Sequence, residues 1–225
     1  MGRKPISTDT NWFQLIFDGE QPDKNATGLV YVVENKFLPI SLQHLRSTQL
    51  IGFCISNNQI LPEVVDYALE NKVDFLLLDG TSNISSPWPE LQQTPNLSIM
   101  RDTIDYLRSI KKEEHIDLLW FGGIRSGTDA AKVIGLGCKA VVFGTQIGFA
   151  LGGEIGTNLE LKFSANHTLE DRRSSLTNIL TASAGEASMM ARCTGKTILH
   201  NLEPEDMRSI TIATSNATGI PLAGT

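Results

Sequence analysis

The sequence predicts an α/β fold in which strands and helices alternate around a parallel sheet, followed by a helical C-terminal tail. Two observations lead to this fold class. Short apolar runs rich in branched and aromatic residues alternate with amphipathic segments as far as residue 150. Beyond that point a glycine-rich stretch, ALGGEIG, leads to a polar segment and then to longer helical runs.

The predicted strands are apolar runs bounded by turn residues. They are LVYVVEN, LIGFCIS, VDFLLLD, DLLWFGG and AVVFGT. Two segments between them, PEVVDYALENK and SIMRDTIDYLRSIKKE, carry apolar residues at helical spacing. Residues 1–49 therefore form an N-terminal segment with one strand, and residues 50–150 form the repeated strand and helix part.

The C-terminal extension, residues 151–225, is predicted to be helical and without strands. Its longest helical run is LEDRRSSLTNILTASAGEASMMARCTG. A second run, PEDMRSITIATSNATG, has Pro204 where proline suits a first helical turn and Gly219 where glycine suits the end.

Composition limits the classes of function. The chain of 225 residues is 41% hydrophobic with a net charge of -6, and its charges are mixed, so we expect no nucleic-acid partner. No apolar run is long enough to span a bilayer, so we expect no membrane partner. Cys54, Cys138 and Cys193 lie far apart, which indicates a reducing, cytoplasmic location. The histidines (His44, His115, His167 and His200) show no metal-ligand spacing.

The stretch FGGIRSGTDAAKVIGLGCKAVVFGT is built like a phosphate site. Gly122 and Gly123 end one predicted strand, and Gly144 and Thr145 end the next, so backbone amides are exposed at one end of the sheet. In barrels of eight strand and helix units, the loops after the seventh and eighth strands commonly bind a phosphate. The alternative is that these glycines only permit tight turns and close helix packing.

Two residues around this stretch allow two interpretations each. Arg125 follows the glycine pair and either pairs with a phosphate oxygen or is an ordinary exposed loop arginine. Asp79 ends another predicted strand and either contacts a ligand or caps the turn that follows it. Ser126 is predicted to cap the next helix, with Asp129 closing a capping box.

From Leu50 to the C-terminus the sequence resembles the C-terminal half of the FMN-binding domain of the glutamate synthase family. The GGIRSG segment is also similar to inosine monophosphate dehydrogenase and other flavin barrels, whereas CTGKT and LEPEDMR point more narrowly to glutamate synthase relatives. The resemblance implies a (β/α) TIM-type barrel with FMN at the carboxyl ends of its strands. It also implies that the phosphate lies against Gly122, Gly123, Gly144 and Thr145.

In that family the flavin passes electrons to an iminoglutarate intermediate made from 2-oxoglutarate and ammonia, which gives glutamate. This chain departs from the family pattern at three places. Cys54 stands about where the family has a lysine that stabilises reduced flavin, and a core role is the expected one. The loop DGTSNISSPWPE replaces a glycine-rich loop that covers the flavin. The cysteines that bind an iron-sulfur cluster after the final strand are missing, so we expect no such cluster.

The predicted barrel is incomplete. A full barrel needs eight units and typically about 250 residues, and segment 1–49 is too short for the units before the LIGFCIS strand. An open parallel sheet would leave unpaired edges. We therefore expect a homodimer or a second subunit that completes the barrel, joined near the N-terminal strand and Leu50–Ser56, unless segment 1–49 covers the gap.

Three functions are compatible with these features. The first is an FMN-dependent oxidoreductase of glutamate synthase type, acting on a small-molecule substrate and forming one subunit of a larger enzyme. The second is a non-catalytic FMN-binding or regulatory relative, favoured by Cys54 and the altered loop. The third is another barrel enzyme that acts on a nucleotide or sugar phosphate.

Overall fold

The structure, a computed structural model, describes residues 12–34, 36–37, 39, 42 and 49–224; the predictions for His44 and for the first eleven residues lie outside these ranges. The strands are β1 Phe13–Ile16, β2 Gly28–Val33, β3 Leu50–Ile55, β4 Phe75–Asp79, β5 Asp117–Phe121, β6 Ala140–Val142, β7 Gly153–Ile155 and β8 Leu161–Phe163. The helices are α1 Leu61–Glu70, α2 Ser98–Ser109, α3 Gly127–Gly135, α4 Thr145–Ala150, α5 Leu169–Cys193 and α6 Ile212–Thr218.

The main sheet confirms the predicted α/β half-barrel. Its six strands lie in the order β1-β2-β3-β4-β5-β6, which is also their order in the sequence. The first three pairings, from β1 to β4, are parallel and in continuous register. Parallel strands are covered on both faces, and accordingly β4 is buried at every position. The five predicted strands are β2 to β6.

Strand β1 corrects the prediction that segment 1–49 contributes a single strand. It has only four residues, FQLI, and pairs Phe13 with Gly28 of β2. So short a run has no clear periodicity, and only its pairing with β2 makes it a strand. Because β3 lies between β2 and β4, the region Leu50–Ser56 is interior, and the edge strands of the described sheet are β1 and β6.

The chain divides into two compact units, and the first contains residues 1–78 and 102–119. Helix α1 supplies Val64, Val65 and Ala68 to its core, and all three are fully buried. Phe53 of β3 packs edge-on against Tyr67 of α1, with ring centroids 6.1 Å apart. The amphipathic pattern of α1 thus determines which face covers β3.

The second unit contains residues 79–101 and 120–225. Helix α3 begins after Ser126, whose hydroxyl accepts a hydrogen bond from the Asp129 N–H at 3.3 Å, as predicted. Asp129 in turn accepts from the N–H of Arg125 rather than of Ser126. Gly127 lies against α5, where an added Cβ atom would lie 1.8 Å from the Ser183 carbonyl oxygen. Glycine here allows the two helix backbones to approach closely.

The C-terminal extension is not purely helical, which corrects the prediction. Strand β7, in the predicted glycine-rich linker, and strand β8, in the polar segment after it, form an antiparallel hairpin that pairs Gly153 with Phe163. Pro204 begins only a 3-10 turn, Pro204–Asp206. Helix α6 starts later, where the Thr211 side chain accepts from the Thr214 N–H, and it ends at Gly219 with φ 75° as predicted. Thr211 provides the side-chain cap that an α-helical start needs.

Candidate functional site: an anion cradle at the ends of β5 and β6

The predicted phosphate residues lie together in the second unit. We call Gly122, Gly123, Gly144 and Thr145 the anion cradle. Gly122 and Gly123 follow β5 with φ of 125° and 72°, a region that side chains rarely adopt. The Trp120 indole N–H donates to the Gly122 carbonyl at 2.7 Å and holds this turn in place. Glycine is therefore required here by backbone conformation.

The anion cradle holds a carboxylate from the same chain. Glu90 Oε1 accepts a hydrogen bond from the Gly123 N–H at 2.7 Å, and Glu90 Oε2 accepts from the Thr145 N–H at 2.6 Å. One carboxylate thus bridges the ends of β5 and β6. Short hydrogen bonds from N–H groups to an ionised oxygen are the strong kind. The donors converge on a single negatively charged group, as a phosphate site requires.

The glycines make room for this carboxylate and for the loop that carries it. A Cβ atom on Gly144 would lie 2.1 Å from Glu90 Oε2 and 2.9 Å from the Phe121 ring. A Cβ atom on Gly123 would lie 2.6 Å from Cγ of Pro95. The space above the anion cradle is consequently taken by residues of the segment between β4 and α2.

This segment, which we call the 80–97 loop, contains the stretch that the sequence resemblance aligns with the glycine-rich loop of the family. Its first turn is held by Asp79, whose Oδ1 accepts from the Thr81 N–H at 2.8 Å and from the Thr81 hydroxyl at 2.5 Å. Asp79 Oδ2 accepts from the Ile84 N–H at 3.1 Å. Burial raises the pKa of Asp79, and these hydrogen bonds lower it in part. Asp79 therefore caps the turn, and contact of its carboxylate with a ligand stays a prediction.

Further along, the 80–97 loop is anchored by an aromatic contact. Trp88 adopts φ 51°, and its ring centroid lies 6.0 Å from that of Phe163 in β8. Gly148 of α4 leaves room for the indole, since a Cβ atom there would lie 2.8 Å from it. The next residues, Pro89–Leu91, form a 3-10 turn that directs Glu90 into the anion cradle.

Two polar atoms beside the anion cradle lack hydrogen-bond partners in the part of the chain that the structure describes. They are Thr145 Oγ1 and Gln146 Oε1, and both are buried. Thr145 is only 8% exposed. Buried hydroxyl and amide oxygens almost always have a partner, so these two atoms stand out as unsatisfied hydrogen-bonding groups next in sequence to Gly144.

Arg125 lies at the rim and points to solvent. Its side chain is 85% exposed, and its Nε lies 3.5 Å from the Asp129 carboxylate. These are the features of an exposed loop arginine, and its pairing with a phosphate oxygen stays a prediction. Cys54, in contrast, is 1% exposed within β3, in the core role expected for it.

Sequence reasoning missed Glu90. It is the only charged residue between Gly80 and Leu97, and it stands in the loop whose glycines have been replaced. A lone carboxylate in such a loop, next to a site rich in amide donors, is the signal that could have identified it. No group of three or more histidine, cysteine or acidic side chains suited to a metal occurs among the described residues.

Comparisons with known proteins agree with this fold. The family model described as FMN-dependent dehydrogenase matches residues 96–167, which include β5, β6 and the cradle between them. Among solved structures, the flavin-binding domain of baker's yeast flavocytochrome b2 is 17% identical, with a TM-score of 0.55, over 80% of this chain and 47% of that one. A mandelate oxidase variant with benzoyl-formic acid is 14% identical, with a TM-score of 0.53, over 80% and 55%. The solved structures show that the chain has the fold of these barrels, and residues 96–167 resemble the FMN-dependent dehydrogenase family.

One relative of known annotation is similar to this chain over most of its length. A glutamate synthase large subunit-like protein from Rhizobium meliloti (strain 1021) is 32% identical over 192 residues, which cover 70% of this chain. The chain spans 43% of that relative's length. The resemblance to glutamate synthase-like FMN-binding barrels is thereby confirmed. Among the described residues, no helix is both long and apolar enough to cross a bilayer.

Proposed function

We propose that this chain is the FMN-binding part of a glutamate synthase-like oxidoreductase of the cytoplasm, and that the anion cradle holds the phosphate of FMN. One observation carries the proposal: the N–H groups of Gly123 and Thr145, from the ends of two strands, meet on one carboxylate at 2.7 and 2.6 Å. Backbone donors that hold a carboxylate in this way suit a phosphate equally, since both are anions with several acceptor oxygens.

The chemistry of a phosphate fits what surrounds these donors. Its third oxygen would give the Thr145 hydroxyl the partner that it lacks among the described residues. The glycines at 122 and 144 keep side chains away from the amides. Arg125, at the rim, would take part only after leaving Asp129.

Bound FMN would supply the redox chemistry, and this chain would supply its orientation. By the resemblance to the glutamate synthase family, the small-molecule substrate would be an imine formed from 2-oxoglutarate and ammonia, and the product would be glutamate. The barrel would be completed by a second copy of the chain or by a second subunit. Strands β1 and β6, the edges of the described sheet, are where such a partner would add strands.

A second candidate, a non-catalytic FMN-binding or regulatory relative, is favoured by two observations. Cys54 is buried in β3, about where the family has a lysine. The anion cradle is filled by Glu90 of the replaced loop. A reduced flavin would then lack the positive charge that stabilises it. Glutamate formation by the purified protein with FMN, reductant, 2-oxoglutarate and ammonia would decide for the first candidate.

The test of the anion cradle is FMN affinity in Gly144→Ala. The Cβ atom would occupy the place of the bound anion, 2.1 Å from the present oxygen of Glu90. We expect FMN binding, measured by flavin fluorescence, to weaken at least tenfold. Gly185→Ala is the matched control, since no atom lies within 4 Å of its Cβ position.

Equal FMN affinity in Gly144→Ala and Gly185→Ala would contradict the proposed site. Absence of FMN binding by the parent, with binding of a sugar phosphate or nucleotide in its place, would favour a different phosphate-binding barrel. The flavin absorbance band of the purified protein separates these outcomes directly.

A further inference from the structure

We propose that Glu90 is an internal competitor for the anion cradle: the 80–97 loop closes the site with its own carboxylate, and the phosphate of FMN enters only when Glu90 withdraws. This inference rests on the proposed function, because it names what regulates the same site.

The competition follows from the hydrogen bonds. Both carboxylate oxygens are engaged, one with the Gly123 N–H and the other with the Thr145 N–H. Each of these donors has one hydrogen to give, so a phosphate cannot use them while Glu90 does. The two anions also repel each other at this distance. The carboxylate and the phosphate are therefore mutually exclusive occupants.

Glu90 has the advantage of being tethered. A group carried on a short loop faces its site at an effective concentration in the millimolar range or higher, whereas free FMN must bind from dilute solution. Glu90 is the only charged residue between Gly80 and Leu97, so no other carboxylate of this loop can take its place in the anion cradle. When a ligand binds only molecules whose loop is open, its apparent Kd is the intrinsic Kd divided by the fraction of open molecules.

The contacts of the 80–97 loop define which part moves. Its ends are fastened near β5, since the Gly80 N–H donates to the Phe121 carbonyl at 2.9 Å and the Asn96 N–H donates to the Gly80 carbonyl at 2.7 Å. Asp79 holds the first turn as far as Ile84. Withdrawal of Glu90 therefore involves residues 85–95, which include Pro95 above Gly123.

Two features favour opening once a phosphate is offered. Trp88 is held at φ 51°, a left-handed conformation that is unfavourable for a residue with a side chain, and its release would offset part of the cost of separating the indole from Phe163. Thr145 Oγ1 has no partner among the described residues while Glu90 occupies the site. A phosphate, with three free oxygens, satisfies the hydroxyl as well as both amides. The phosphate thus binds the open loop and not the closed loop, and this difference in affinity shifts the population toward the open loop.

The experiment compares FMN with riboflavin, which lacks the phosphate, on the full chain and its Glu90 variants. We expect Glu90→Ala to lower the Kd for FMN at least tenfold, equivalent to about 1.4 kcal/mol, and to leave the Kd for riboflavin unchanged. Glu90→Gln keeps the size of the side chain but presents one N–H donor to the amides, so a smaller gain in FMN affinity is expected. Glu154→Ala, on an exposed residue of β7, is the control.

Hydrogen exchange of residues 85–95 gives a readout that does not depend on the variants. We expect FMN, but not riboflavin, to speed exchange in this segment of the parent protein, and Glu90→Ala to speed it without ligand. Unchanged exchange in both cases would overturn the proposal.

The outcomes separate the two ideas. Equal FMN affinity of the parent, Glu90→Gln and Glu90→Ala would overturn the competition and leave the FMN site intact. If neither the parent nor Glu90→Ala bound FMN, the proposed function would fail, and the competition would fail with it. Weaker FMN binding by both Glu90 variants would mean that Glu90 supports the site rather than blocks it.

Discussion

Removal of the Glu90 carboxylate should also change the stability of the ligand-free protein. In Glu90→Ala the amides of Gly123 and Thr145 lose their acceptor, and each hydrogen bond to an ionised group contributes about 1.5–3 kcal/mol. Glu90 is only half-buried, and about 1.5–2 kcal/mol of side-chain entropy is regained when it is removed. A net loss of about 2 kcal/mol is expected.

For a chain of this size each kcal/mol shifts Tm by about 2–4 °C, so Glu90→Ala should melt about 4–8 °C below the parent. Differential scanning calorimetry in phosphate-free buffer measures this shift. FMN at one hundred times its Kd for Glu90→Ala should stabilise this variant by about 2.7 kcal/mol, because the ligand binds only the folded state. The parent should gain less, since its own carboxylate must first be displaced.

The result that would refute this reasoning is a Tm of Glu90→Ala equal to those of the parent and of Glu154→Ala. The two hydrogen bonds would then contribute nothing to the folded state, and Glu90 would not be a meaningful occupant of the anion cradle. If the Tm of Glu90→Ala is lower and FMN does not restore it, the stabilising contact of the carboxylate is supported and the phosphate site is rejected.

Two further predictions concern other positions of the second unit. Gly127→Ala should destabilise the protein by about 1–3 kcal/mol in urea unfolding, because the new Cβ would lie 1.8 Å from the Ser183 carbonyl oxygen; stability equal to that of Gly185→Ala would contradict this. Burial raises the pKa of Asp79, so this carboxyl holds its proton more tightly in the folded state and stability should fall as pH rises through the window above its ordinary value. Asp79→Asn should make the free energy of unfolding, measured by urea denaturation, less dependent on pH in that window. An unchanged slope would mean that other groups cause the pH dependence.

Much of the fold was predictable because its signals are local. The runs that became β2 to β6 are apolar at nearly every position, as strands covered on both faces must be. The start of α3 depends on Ser126 and Asp129, three residues apart, and the end of α6 depends on Gly219 alone. The positions of Gly123 and Gly144 at the ends of neighbouring strands likewise follow from the chain order, because parallel strands present the same ends to one edge.

Other elements depend on partners that the local sequence does not reveal. Four residues, FQLI, become β1 only through pairing with β2. The hairpin of β7 and β8 lies where a glycine-rich linker and a polar segment were expected, and its three-residue strands are defined by each other. Pro204 permits a helical start, but α6 begins at Ile212, because Thr211 supplies the cap.

The sequence by itself determined that two strands end in glycine-lined amide donors, since this requires only the order of apolar runs and glycines along the chain. Only the tertiary structure decided which anion those donors hold. Glu90 is 33 residues from Gly123 and 55 residues from Thr145 in the sequence. A contact over such separations is set by the path of the 80–97 loop, by the Asp79 cap and by the packing of Trp88 on Phe163. None of these has a local pattern that specifies it, so the occupant of the anion cradle became visible only in the folded chain.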